Sequence, residues 1–199
     1  MTSLVALVRH GPTGWNAEKR LQGRSDQPLS EAGRAAVATW RLPVEFAVFA
    51  AHCSPLRRAV ETADILLRRP ALPEPALIEM RYGAWEGRRL PDLREELGDA
   101  MRENEARGLD FTPPDGESPR MVLARVLPLL AQWGAAGGNR IAITHKGVIR
   151  AVYAAAADWN MTGRPPDKLR WDAIHVFEIG ADGAPRPHRL NIPLTDDPL

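Results

Sequence analysis

The stretch LVALVRHGPTGWN, residues 4–16, decides how the chain is read. Five apolar residues lead to Arg9 and His10, and Gly11 with Pro12 then end any regular structure, so a buried strand stops at an arginine and a histidine. An imidazole beside a guanidinium suits an anionic group: the planar fork holds two phosphate oxygens while neutral histidine attacks phosphorus. The same dipeptide also serves as an ordinary strand end, and these residues alone leave both readings open.

Outward from that strand, residues 10–29 form a long polar loop, which in a compact domain marks function more often than connection. Ser30 is placed to cap a helix over residues 32–40 that Pro43 closes. The apolar run FAVFA within residues 45–52 predicts a second strand. Ser54 and Pro55 then predict a capped helix to about Leu67, with Arg57 and Arg58 in its first turns. Adjacent helical residues point about 100° apart, so only one of these arginines can face a given target.

After a proline-rich connector at residues 71–75, Glu79 follows an apolar segment and precedes the aromatic, glycine-containing loop RYGAWEG. Residues 90–107 predict a charge-rich helix broken near Gly98, its individual charges most simply read as a solvated face. Ser118 and Pro119 open another helix, to about Trp133. RIAIT, residues 140–144, is a third clear strand that runs into His145, Lys146 and Gly147 before a helix over residues 148–157. Residues 173–179 and 186–192 alternate as a hairpin around ADGAP, and TDDPL is expected to be a loose tail. The pattern predicts one α/β domain over residues 1–199, with a mostly parallel central sheet flanked by helices and a small helical cap or lid at about residues 88–117.

Composition narrows the partners. With 26 basic and 25 acidic residues interspersed, the chain has no electrostatic footprint for nucleic acid or a membrane surface. The lone Cys53 excludes an internal disulfide and reads as a buried structural thiol in a reducing compartment. The short apolar run at the N-terminus matches neither a signal peptide nor a membrane span, so a cytoplasmic location is expected. No metal or cofactor is expected, because His10 and His145 are flanked by cationic Arg9 and Lys146. His52 ends a strand and is read as structural before pocket rim, His175 and His188 as surface or half-buried, and Trp15, Tyr82 and Trp85 as loop packing before substrate contact. Nothing in the residues specifies an oligomeric state.

Taken in order, VRHGPTGWN, QGRSDQPLSEAG, SPLRRAVETA, IEMRYGAWEG, GESPRMVLAR and ITHKGVIRA resemble the histidine phosphatase superfamily, the phosphoglycerate mutase-like branch 1, over nearly the whole chain. The resemblance implies a phosphoglycerate mutase-like fold, with His10 as the nucleophile that becomes phosphohistidine and Arg9, Arg58 and His145 as the phosphate pocket. Glu79 falls on the family's general-acid position and Asn16 on a phosphate-holding one. Thr13, Gln22 and Gly23 occupy motif positions near the pocket. Arg57 becomes a helix-surface or rim residue, and Glu117 with Ser118 a structural pair.

Two positions depart from the pattern. Lys146 stands where the family has a small residue, and either adds attraction for phosphate or points to solvent; Pro12 replaces an acidic or amide residue and leaves the nucleophile motif intact. The family contains phosphatases and mutases. The short interval between Gly87 and Asp115, without a clear arginine pair for a carboxylate, favours hydrolysis of a small phosphomonoester over a phosphoglycerate mutase. A phosphate-binding module without catalysis would need neither nucleophile nor acid. The only partner implied is a phosphorylated small molecule, with sugar phosphates, phosphoglycolate-like acids, nucleotides and a phosphoribosyl compound of the cobalamin pathway all open.

Overall fold

Six strands form one mixed sheet in the order β3-β2-β4-β1-β5-β6, in a computed structural model that describes residues 2–180 and 182–194. The expected tail TDDPL and Ala181 of the hairpin turn lie outside the described residues. The strands are β1 (Ser3–Arg9), β2 (Ala50–Cys53), β3 (Leu72–Pro73), β4 (Arg140–Thr144), β5 (Ala173–Ile179) and β6 (Pro185–Pro193). Pairings β1·β4, β2·β4 and β2·β3 are parallel, whereas β5 runs antiparallel to β1 and β6.

The unbroken apolar character of β1 follows from its place between β4 and β5. Val5 and Leu7 enter the core under helices α5 (Pro119–Ala136) and α6 (Lys146–Ala156). Ala6 and Val8 face the opposite core, under α2 (Glu31–Thr39) and α3 (Arg57–Leu67). Each fully buried valine or leucine of this kind contributes roughly 1.5–3 kcal/mol. A smaller cluster of Trp85, Leu93 and Met101 underlies α4 (Leu90–Ala106).

The chain leaves β1 toward β2 on one side and leaves β4 toward β5 on the other, so the two neighbouring strands form the switch point where α/β sheets bind ligands. Register Arg9↔Thr144 sets His10 beside His145, and Cys53↔Ile143 brings Ser54 to the same edge.

Several elements differ from the sequence-based expectation. FAVFA is mostly a tight turn, with a short 3-10 helix at Val44–Phe46 and the strand starting only at Ala50. Phe46 and Phe49 both point inward, ring centres 5.2 Å apart, while Val48 is exposed; that is a spacing of three, which a strand's alternation cannot satisfy. The polar loop contains a four-residue helix, α1 (Gly14–Ala17). The proline-rich connector adds the two-residue edge strand β3. Helix α3 begins at Arg57 behind an N-cap Leu56, while the Ser54 hydroxyl accepts from Leu56 N at 3.3 Å and lies 2.7 Å from His145 Nε2. His175 is fully buried: its strand has neighbours on both sides, and its Nε2–H donates to Arg170 O at 2.8 Å. His188 is exposed, as expected.

Other expectations hold. Ser30 and Ser118 cap α2 and α5. Gly98 breaks α4, at φ 52° and ψ −119°. The break lets Arg94 bond Glu105 at 2.7 Å, although eleven residues of straight helix would separate them by about 16 Å.

Candidate active site

His10 leaves β1 with its backbone N–H donating to Thr144 O at 2.9 Å, which ties the two strand ends together. Its Nδ1 lies 2.7 Å from Gly11 O. A carbonyl only accepts, so Nδ1 carries the proton and Nε2 keeps its lone pair. Burial, then the charges of Arg9 and Arg58, hold this imidazole well below the usual histidine range, so it is neutral. Gly11 is required because a Cβ there would strike Val37, and its N–H donates to Thr62 Oγ1 at 2.9 Å.

The His145 ring stands 5.1 Å from that of His10, centre to centre. Its Nε2 lies 2.7 Å from Ser54 Oγ, and burial followed by the charge of Arg58 keeps it neutral too. If the serine hydroxyl donates to Nε2, the ring's proton sits on Nδ1.

Arg58 is completely buried on α3. Its Nη1 donates to Ser25 O at 3.0 Å and its Nη2 to Gly23 O at 2.8 Å. Nε of Arg58, Nε of Arg9 and Nδ1 of His145 are buried with no hydrogen-bond partner. Buried polar nitrogens are rarely left so, each costing about 1–3 kcal/mol. All three belong to residues whose rings or charges reach His10.

Glu79 faces this group. One carboxyl oxygen accepts from its neighbour Met80 N at 2.8 Å and the other from Gly147 N, in the first turn of α6, at 3.3 Å. Burial raises its pKa, against those two bonds and the charges of Arg58 and Arg9. Glu79 is thus a carboxyl that gives up its proton less readily than an ordinary one, beside a neutral imidazole and two cations, a set suited to donating one proton while nitrogen attacks. Gly147 permits the approach, since a Cβ there would collide with Glu79 Oε1.

The remaining predicted positions serve the loop that surrounds these groups. Thr13 and Asn16 form the capping box of α1, and the Thr13 hydroxyl lies 3.0 Å from Gln22 Oε1. Asn16 thus has its Oδ1 engaged by Thr13, with Thr13 N donating at 3.1 Å. Gly23 sits at φ +53° in a turn where a Cβ would meet Glu86. Lys146 rests its ammonium 5.1 Å from the Trp171 ring centre, and burial lowers its pKa. Arg57 is exposed, as expected for a helix-surface residue. His52 turns away to the core, 2.9 Å from Glu74 and 4.7 Å from the Trp133 ring centre. Trp85 is buried against Phe111, while Tyr82 lines a cleft beside Glu79.

Three supporting residues escaped sequence reasoning. Ser54 orients His145, although its sequence position signalled only a helix cap. Glu86 accepts from Arg24 N, Ser25 N, Ser25 Oγ and Tyr82 N, and so shapes the turn whose carbonyls hold Arg58. Arg24 reaches Glu117 at 2.7 Å, and Glu117 also takes Arg125, giving the GES motif a structural role. Among the described residues, no three His, Cys, Asp or Glu side chains gather as a metal site would require, and no helix is long and apolar enough to cross a membrane.

Known proteins resemble this chain over nearly its whole length. A 2,3-bisphosphoglycerate-dependent phosphoglycerate mutase from Azorhizobium caulinodans is 30% identical over 197 residues, covering 92% of this chain and 95% of that one. Among solved structures, Bacillus stearothermophilus YhfR superposes with a TM-score of 0.76 at 27% identity, covering 93% of this chain and 95% of its own. A mycobacterial glucosyl-3-phosphoglycerate phosphatase shares the fold, with a TM-score of 0.77 at 24% identity over 97% of this chain and 99% of its own. The family model matches residues 5–192, from within the strand that carries His10 into the last strand of the sheet, so the chain belongs to the histidine phosphatase superfamily, branch 1.

Proposed function

We propose that this protein hydrolyses a small phosphomonoester through a phosphohistidine on His10, without metal or cofactor. The observation that carries the reading is the set of three buried, partnerless nitrogens on Arg9, Arg58 and His145, which a phosphoryl group would satisfy. Nε2 of His10 attacks phosphorus in line, the P–O bond to the alcohol breaks, and Glu79 gives its proton to the departing oxygen. In the second half, Glu79 takes a proton from water, the water oxygen bonds phosphorus, and the N–P bond breaks to release phosphate and restore His10. Asn16, Thr13, Gln22 and Gly23 hold the surrounding loop, Lys146 adds positive charge near the N-terminus of α6, and residues 88–117 act as a lid.

A second reading, phosphoglycerate mutase, is favoured by the names of relatives 30–32% identical to the chain. The experiment offers a panel of phosphomonoesters including 3-phosphoglycerate, with a chelator present, and follows inorganic phosphate and isomerised product separately in wild type and His10→Ala. Phosphate release that falls by about 10³-fold or more in His10→Ala is expected. Isomerisation with little phosphate release would select the mutase, and normal turnover in His10→Ala would remove both.

A further inference from the structure

Beside Glu79 lies a cleft of about 370 Å³, within the ~300–1,000 Å³ range of pockets that enclose drug-sized ligands. Met80 and Gly147, both bonded to the Glu79 carboxyl, form its near end, while His10, Arg9 and Arg58 are not among its lining residues. A general acid lies within hydrogen-bond reach of the oxygen that departs, so the cleft next to the Glu79 carboxyl is the space open to the released alcohol. This step rests on the hydrolase reading above.

The walls are chiefly Leu21, Leu90, Phe111 and Met161 with the ring of Tyr82. Of the charged groups, Arg94 and Glu105 neutralise one another through two hydrogen bonds of 2.9 and 2.7 Å. Arg150 is different. It is half-buried, has no carboxylate partner among the described residues, and is steadied by the Trp159 ring, 5.6 Å from its guanidinium carbon. A half-buried cation without a carboxylate partner among the described residues, set beside apolar side chains, is placed to take an anion, and the stack on tryptophan orients the guanidinium without cancelling its charge. Sequence reading placed the extra cation at Lys146, but that ammonium lies against Trp171 and is not a wall of this cleft.

We infer that the cleft selects phosphomonoesters whose leaving alcohol has an apolar, ring-sized body and one carboxylate, the carboxylate meeting Arg150. A three-carbon acid such as phosphoglycerate would leave most of the apolar wall uncovered, at roughly 25 cal/mol for each Å² not buried.

The test compares benzyl phosphate, 4-carboxybenzyl phosphate and 3-phosphoglycerate, the two benzyl esters having closely matched leaving groups. In wild type, kcat/KM for the carboxybenzyl ester is expected to exceed each of the others by about tenfold. In Arg150→Met the carboxybenzyl-to-benzyl ratio should collapse about tenfold, and Arg150→Lys should restore part of it. The non-hydrolysable benzylphosphonate and 4-carboxybenzylphosphonate, titrated calorimetrically into wild type and Arg150→Met, read the same preference without turnover. A ratio that Arg150→Met leaves unchanged, or a wild-type preference for 3-phosphoglycerate, overturns the pocket assignment alone. No phosphate release from any ester, with the phosphonate preference intact, overturns the hydrolase reading and leaves the pocket standing.

Discussion

At the scale of single residues, the proposed hydrolysis asks for an imidazole without its second proton and a carboxyl slow to lose its own. His10 stays neutral because burial and two arginines oppose its charge, and the Glu79 pKa is raised because burial outweighs its hydrogen bonds and the two arginines. On that proposal the acid limb of kcat/KM should belong to His10 and lie well below 6.5, and the alkaline limb should belong to Glu79 and lie above its ordinary 4.5. Glu79→Gln should therefore abolish the alkaline limb and slow alkyl phosphates by about 10²–10⁴-fold, with far less effect on aryl phosphates, which leave without a proton. A pH–rate profile for both ester types checks this, and equal losses on both would argue against the acid role. Gly147→Ala tests the same proton through sterics. Its Cβ displaces a carboxyl at the end of a flexible side chain, so the fold should survive while alkyl phosphate turnover falls about 10–100-fold and aryl phosphate turnover less.

At the scale of elements, the site is a junction of strand ends with a turn folded over them. Residues 22–25 hold Arg58 by two carbonyls, and Glu86 holds that turn by three donors from it and one from Tyr82 N. Glu86→Gln keeps the shape but turns one oxygen into an NH₂ that faces a backbone N–H in either orientation. A stability loss of about 1–3 kcal/mol is expected, with KM raised more than kcat is lowered because Arg58, on the proposed reading, holds the phosphoryl group already in the ground state. Denaturant melts and steady-state kinetics on the same variant check both parts; a change in kcat alone would separate the turn from Arg58.

At the scale of the whole molecule, four buried histidines, His10, His52, His145 and His175, have pKa values lowered chiefly by burial. Unfolded, each titrates near 6.5. Between the folded and unfolded values the unfolded chain binds more protons, so their contribution is complete above about pH 6.5 and is lost as pH falls through the folded values, by up to about 1.4 kcal/mol per pH unit for each. Glu79 acts in the opposite direction: its pKa is raised on folding, so its contribution is present at low pH and lost as pH rises. Four groups outweigh one, and Tm in phosphate-free buffer should fall as pH is lowered from 7.5 to 5.5. A Tm that is flat or rises across that range would show that these histidines are protonated in the folded protein.

What the sequence alone determined is local or carried by motifs. The apolar run before Arg9 and His10, the serine caps, the Gly98 break and the six ordered motifs depend on neighbours within a few positions or on residue identity, and they sufficed for the fold class and the family, and to nominate the residues that the fold brings together at the strand ends. Tertiary structure alone decided the supporting contacts. Ser54 meets His145 across 91 positions and Glu86 meets Ser25 across 61, partnerships that exist only once parallel strands bring their ends to one edge. The same cause hid the burial of His175 and the turn at Phe46, since which face of an element is covered depends on what packs there. It also moved attention from Lys146 to Arg150: a helix sets the two cations one turn apart, and only the packing of Trp171 and Trp159 settles which of them lines the cleft.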